Sequence, residues 1–368
     1  MSLLPPLVAD VHSETTFAPK EPPPAADRPN SRPKAPITRA TWGRGLVVFL
    51  LAALAVPTGL GLYADFRDVS ATLTGFRWAL MPALIALTLA NYLVRYLRWR
   101  NLLRISSGHS PGLWQDLLVF FAGTAMILTP ARLGEWTKSY YARERYGAPV
   151  ARTAPIMLAE RVGDCLAMLL LSSAGLVVFG WGRPIFVLVI AMAAAAIVAF
   201  RHRGLASTAL RWLRRFHATR RLVPSIEEFH DSARLLFSAR GMSWALGLGL
   251  VAWSLECLMF FLVLVGLGRP ATAELALQAS FIFPIATLAG GLALLPAGIG
   301  VTEGSITGMV QAIVGAPRSL AVASALLARA LILGFALALG LPALALVGRT
   351  RDSRKVAAPV LTKAVSPN

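Results

Sequence analysis

Eight ionisable residues sit inside long apolar runs of the sequence or beside breaks in them: Arg132, Glu135, Glu160, Arg161, Asp164, Glu256, Glu303 and Arg329. An arginine in such a place suits an anion, because its guanidinium stays charged and offers a planar fork that matches phosphate or carboxylate. A carboxylate beside it can neutralise it, position its ligand or pass a proton. Asp164 lies three residues beyond Arg161, on the same helix face, and can pair with it. Glu160 directly precedes Arg161 and points elsewhere. Glu256 has no local cation, so its partner must come from another helix. The five histidines are scattered and both cysteines, Cys165 and Cys257, fall inside apolar runs, so no metal site or cofactor is expected. These residue types favour holding an anionic group away from water over making or breaking bonds.

The elements that carry them are membrane spans. The 368 residues are 56% apolar and 15% charged, with a mean hydropathy of +0.62. A soluble domain carries roughly a quarter charged residues. Apolar runs lie at 46–64, 78–97, 153–180, 184–200, 242–267 and 319–347, near the ~20 residues that cross a bilayer core. The chain is read as an all-α polytopic membrane protein, and a soluble enzyme is excluded. Arg161 then lies ~12 Å into its span and Arg329 ~15 Å into its own, at ~1.5 Å per residue. A charge so deep costs about 2.5–3.5 kcal/mol even on the lenient insertion scale. Such residues are there for a reason.

Two further regions, 113–150 and 273–316, are apolar but interrupted by Pro130, Gly134, Pro296, Gly298 and Gly300. Lys and Arg number 29 in 1–45, 95–152, 201–241 and 348–368 together, against five in 65–77, 181–183 and 268–318. Cytoplasmic loops are the basic ones, so both termini are expected in the cytoplasm and the protein in the cell inner membrane. That division makes each broken region return to the side it left. Each is therefore read as a re-entrant helical hairpin, which lipid tolerates only where it is buried or lines a polar cavity. The same rule explains the net charge of +18, so nucleic acid is not expected. Residues 1–44 hold nine of the 24 prolines and are expected to be a disordered cytoplasmic tail. The membrane domain is 45–347, its first span an uncleaved anchor, and 348–368 a basic cytoplasmic tail.

The broken regions resemble each other. Ala122-Gly123 leads to Pro130-Ala131-Arg132-Leu133-Gly134-Glu135, and Ala289-Gly290 to Pro296-Ala297-Gly298-Ile299-Gly300 and Glu303. Upstream, Trp78-Ala79-Leu80 matches Trp244-Ala245-Leu246; downstream, Met157–Arg161 matches Leu326–Arg329. With the charge division, units 78–180 and 242–347 form an inverted repeat, giving about six spanning helices plus two re-entrant hairpins. Transporters built this way place their substrate at the repeat interface. Free N–H groups at half-helix ends suit phosphate, and Arg161 with Arg329 completes a cradle. Arg132 meets the ligand at the cytoplasmic mouth and Glu135 and Glu303 gate or position it. Glu160 supports the site, and Asp164 or Glu256 carries a coupling proton. Alternatively, the charges only neutralise one another and fix helix packing. In 201–241, apolar residues interleave with arginines in a basic amphipathic pattern suited to an anionic lipid surface. Ser225 and Glu228 there form a capping-box start for a short helix.

Together, Pro130-x-Arg-x-Gly-Glu135, Glu160-Arg161-x-x-Asp164, Pro296-x-Gly-Ile-Gly-x-x-Glu303 and Arg329 resemble the transmembrane region of lysyl-phosphatidylglycerol synthases, which stand-alone flippase-like membrane proteins share. The resemblance covers about residues 45–347. It implies movement of a lipid headgroup between leaflets. In the full synthase an aminoacyl-transferase domain follows; here about 20 residues follow the last span, so synthase activity is not expected. No Walker motif is present, which excludes direct ATP drive. The reading is an inner-membrane lipid translocase that moves an anionic or phosphate-bearing headgroup through a polar midplane cavity. The alternatives are a membrane-embedded lipid-modifying transferase using Glu135 or Glu303 as base, or a scaffold for lipid and envelope biosynthesis. The lipid, the energy source and the oligomeric state stay open.

Overall fold

A chain that crosses hydrocarbon must satisfy its backbone polar groups internally, and Leu- and Ala-rich runs do so as helices. The computed structural model describes residues 55–128, 134–179, 183–201 and 223–363, and among these no strand occurs. The helices are α1 (55–64), α2 (Phe66–Thr74), α3 (Met81–Ser107), α4 (Leu113–Thr124), α5 (Thr137–Tyr146), α6 (Val150–Thr153) and α7 (Pro155–Phe179). They continue as α8 (Arg183–Arg201), α9 (Val223–Leu236), α10 (Ala239–Gly266), α11 (Ala273–Leu292), α12 (Val301–Val314) and α13 (Arg318–Lys363). Five stretches are long and apolar enough to cross a membrane: Trp78–Ser107, Val150–Val178, Ala239–Gly266, Ala273–Leu292 and Arg318–Val347. The protein is an all-α, multi-pass membrane protein. The tail to residue 44, residues 46–54 of the first apolar run, Pro130, Arg132 and the basic stretch 202–222 lie outside the described residues.

Three boundaries differ from those read in the sequence. α3 runs on to Ser107 and ends at Gly108, whose φ of 69° is the left-handed cap that glycine favours. Arg95, Arg98 and Arg100 are thus helical rather than loop residues. α11 is an unbroken 20-residue helix with Pro284 inside it, ~30 Å long and sufficient to cross. The break in this region follows α11, around the 3₁₀ turn Pro296–Gly298, where the sequence reading placed it. Within a membrane domain, neighbouring helices and polar side chains can re-satisfy the carbonyl one turn earlier, which proline has no N–H to serve. Lastly, the chain is already helical at Val223, so Ser225 lies within α9 and does not cap it.

Three helices beside the breaks are too short to span. α4 has 12 residues, α5 ten and α12 fourteen, which is ~15–21 Å against a hydrocarbon core of ~30 Å. α4 passes into a 3₁₀ turn, Ala125–Leu128, and this turn packs against Pro296–Gly298. The two breaks meet. α13 supports the junction: a Cβ on Gly340 would lie 2.7 Å from the Ala125 backbone nitrogen. Around this junction α10 packs on α3 and α7, α11 on α7, and α13 on α4 and α12. One apolar core is built around Phe260, Phe281, Phe283 and Ala325, and a second around Tyr96, Trp99, Phe120 and Ile156.

The α7–α10 crossing depends on a small residue. A Cβ on Gly163 would sit 2.9 Å from the carbonyl carbon and oxygen of Ala245, backbone atoms that cannot swing aside. Gly163→Ala is expected to cost about 1–3 kcal/mol, as overpacking does, read as a lower thermal midpoint of the purified protein. Gly304→Ala is the control, since nothing lies within 4 Å of that position.

Candidate functional site

α7 presents Glu160, Arg161 and Asp164 within a little over one turn, and Asp164 is the hub. Its Oδ1 accepts hydrogen bonds from Arg98 Nη1 at 2.7 Å and Trp253 Nε1 at 3.0 Å. Its Oδ2 makes no hydrogen bond but faces Arg95 Nη1 at 3.6 Å and Arg161 Nη1 at 3.8 Å. Arg95 in turn donates to Glu256 Oε1 at 2.9 Å and to Asn91 Oδ1 at 2.9 Å. The Arg95 guanidinium also lies 5.2 Å from the centre of the Trp253 ring, a cation–π contact. The partner of Glu256 does come from another helix, and it is Arg95 of α3.

Glu160 is drawn into the same network rather than pointing away from it. It lies 3.8 Å from Arg98 Nε and 3.8 Å from Lys138 Nζ. Lys138 reaches in from α5, its ammonium 4.8 Å from the Phe120 ring centre and 5.5 Å from that of Trp99. Gly123 of α4 leaves the room its stem needs, since a Cβ there would collide with Lys138 Cγ. Glu135, just before α5, accepts a hydrogen bond from Arg161 Nη2. Arg95, Arg98, Lys138 and Arg161 thus face Glu135, Glu160, Asp164 and Glu256. Four positive charges meet four negative ones, all from described residues. Balance matters here, because a buried charge without a counter-ion is strongly destabilising.

The second break carries a smaller cluster. Glu303 lies in the first turn of α12, where its Oε2 accepts from the Gly300 N–H at 2.7 Å. Its Oε1 accepts from Arg329 Nε at 2.6 Å, and Arg329 Nη2 donates to the Ala297 carbonyl at 2.6 Å. The backbone here is left-handed at Leu294 (φ 55°), Ala297 (51°), Gly298 (67°) and Gly300 (89°). The glycines take such angles freely; Ala297 does not. Arg329 therefore grips a strained peptide. The N-terminus of α12, a helix end expected to receive phosphate, is closed by the protein's own carboxylate. Arg161 and Arg329 each pair with a glutamate 26 residues upstream.

Of the other predicted positions, Gly134 accepts a hydrogen bond from Thr137 Oγ1 at 2.6 Å and Pro296 is buried. Sequence reasoning missed Arg95, Arg98, Lys138, Asn91 and Trp253. The available signal was Arg95-x-x-Arg98, which places two cations on one face of a helix. It also missed Asp116, fully buried on α4, which accepts from Trp99 Nε1 at 3.0 Å and Tyr146 Oη at 3.4 Å and faces Arg100 at 3.5 Å. Burial pushes its carboxyl above the usual range, with these partners pulling the other way. Burial, together with Asp116, likewise raises the Tyr146 hydroxyl. This group ties the outer ends of α4 and α5 to α3.

Short helices that meet at two breaks, beside a network of buried, paired charges among the described residues, define a multi-pass membrane protein with a polar centre. The sequence matches the family described as the lysylphosphatidylglycerol synthase TM region over residues 46–340, and the chain belongs to that family. Membership places it among membrane proteins of lipid biosynthesis or translocation. Comparison with curated proteins gives no match.

Proposed function

We propose that the protein moves an anionic or phosphate-bearing lipid headgroup between leaflets. The observation that carries this reading is the charge-balanced network beside the junction of two helix breaks, with Arg161 partly open at its edge. So many ionisable groups inside apolar helices mark a pathway for a polar cargo. In this reading the two broken regions belong to an inverted repeat, the first a re-entrant hairpin of α4 and α5 and the second the full-length α11 followed by the short α12, which the shared 26-residue Glu–Arg spacing supports. Arg161 meets the headgroup, and Arg132 guards a mouth on the cytoplasmic side. Glu135 and Glu303 set the positions of the two arginines. Asp164, Glu160 and Glu256 hold the surrounding cations and offer sites for a coupling proton. The charge division puts both termini in the cytoplasm and the basic 201–241 segment on an anionic lipid surface, in the inner membrane.

Purified protein in liposomes of phosphatidylcholine and phosphatidylglycerol is expected to exchange a fluorescent phosphatidylglycerol between leaflets, read by dithionite quenching. Arg161→Gln should slow that exchange by at least about tenfold, the equivalent of one lost charge-assisted contact. A chemically new lipid in the mass spectrum of the same liposomes would overturn the translocase in favour of a transferase. Exchange no faster than in protein-free liposomes would overturn it outright.

A further inference from the structure

The embedded cations are not equivalent. The side chains of Arg95, Arg98, Lys138 and Arg329 are 15%, 3%, 5% and 11% exposed, whereas that of Arg161 is 38% exposed. Arg329 hydrogen-bonds through two nitrogens, one to Glu303 and one to the left-handed Ala297, and Glu303 spends its other oxygen on Gly300. Arg98 is hydrogen-bonded to Asp164, and Arg95 is bonded to Glu256 and stacked on Trp253. Arg161 hydrogen-bonds through one terminal nitrogen, to Glu135, and its other, 3.8 Å from Asp164 Oδ2, is beyond hydrogen-bond reach. A guanidinium has five N–H donors in a fixed fork.

We infer that, of these five cations, Arg161 is the one that receives the lipid's phosphodiester, and that Arg329 is a positioning residue holding the second break. This rests on the translocase reading above and names what that site recognises. Two phosphate oxygens match the free edge of the Arg161 fork, and the phosphodiester displaces the Glu135 carboxylate as it arrives. The site therefore reads phosphate: a phospholipid binds and a neutral lipid of the same chains does not. The repeat supplies one ligand-binding arginine and one structural arginine, not a two-arginine cradle.

The test uses the full chain in detergent, titrated with dioctanoyl-phosphatidylglycerol and followed by tryptophan fluorescence. Dioctanoylglycerol carries the same chains without phosphate, and glycerol 3-phosphate the phosphate without chains. Arg161→Gln should weaken phosphatidylglycerol binding by at least about tenfold, and Arg161→Gln with Glu135→Gln, which leaves the Glu135 carboxylate unstranded, should bind as weakly at a melting temperature close to that of wild type. Arg329→Lys, which keeps the charge, should bind within about threefold of wild type, and any folded Arg329→Gln should do the same despite a lower melting temperature. Undiminished binding by Arg161→Gln, or a tenfold loss in a normally stable Arg329→Lys, would overturn the assignment. Equal binding of dioctanoylglycerol would overturn phosphate recognition. Glycerol 3-phosphate binding as tightly as the phospholipid would leave Arg161 as the anion site and overturn the lipid as its source. Arg161-dependent binding of phospholipid without leaflet exchange would keep this inference and remove the translocase.

Discussion

Asp164→Asn is expected to yield little folded protein. The carboxylate is buried and faces three guanidiniums, those of Arg98 at 2.7 Å, Arg95 at 3.6 Å and Arg161 at 3.8 Å. Removing one buried member of such a set costs about 3–5 kcal/mol, and domains are stable by only about 5–15 kcal/mol in total. The distances say which second change restores balance. Arg98 is 3% exposed and hydrogen-bonded to Asp164, whereas Arg161 is 38% exposed and 3.8 Å away. Asp164→Asn with Arg98→Gln should therefore recover most of the lost melting temperature, because a buried pair replaced as a pair is often nearly neutral. Asp164→Asn with Arg161→Gln should recover much less, since Arg98 is then left buried opposite an amide. If both doubles recover equally, burial and distance do not rank the partners of Asp164.

That ranking was out of reach of the sequence. Arg161 and Asp164 share a helix face three residues apart, so their pairing is legible from period alone. Arg98 and Asp164 are 66 residues apart, and Arg95 and Glu256 are 161 apart. Only the packing of α3 on α7 and α10 joins them. The spans themselves were legible, because an apolar run near 20 residues has few other uses. The end of α3 was not: the Lys and Arg tally counts Arg95 and Arg98 as loop charges, although acids on other helices neutralise them within the span. Pro284 and the stretch from Leu294 to Gly300 are a similar case. Both carry breaking residues, yet a helix runs through the first while the chain breaks at the second, where non-helical angles are held by Arg329 and Glu303. Gly298 and Gly300 marked that break correctly. The carboxylate that closes the start of α12 was visible as a residue but not as a cap, because glycine at the cap position offers no side chain to suggest one.

Arg329→Gln should be as damaging as loss of Asp164, for a different reason. The substitution leaves Glu303 buried with only the Gly300 N–H as partner, and it releases the carbonyl of Ala297. An uncompensated buried carboxylate again costs about 3–5 kcal/mol. Arg329→Gln with Glu303→Gln should recover a large part, since no charge is then stranded and the new amide oxygen can still accept from Gly300. It should not recover everything, because the grip on Ala297 is still missing. A non-glycine residue in the left-handed region is disfavoured by about 1–2 kcal/mol, and glycine returns about 0.5–1 kcal/mol of that as backbone entropy. Ala297→Gly should therefore change wild type little and help the double variant by up to about 1 kcal/mol. Melting temperatures of the wild type and the four variants in one detergent measure this directly. The turn at 296–298 packs on the turn at 125–128, so slackening one break should also loosen the other and slow leaflet exchange while phospholipid still binds at Arg161. A double variant that regains wild-type stability without Ala297→Gly would show that Arg329 serves only to neutralise Glu303 and does not hold the break.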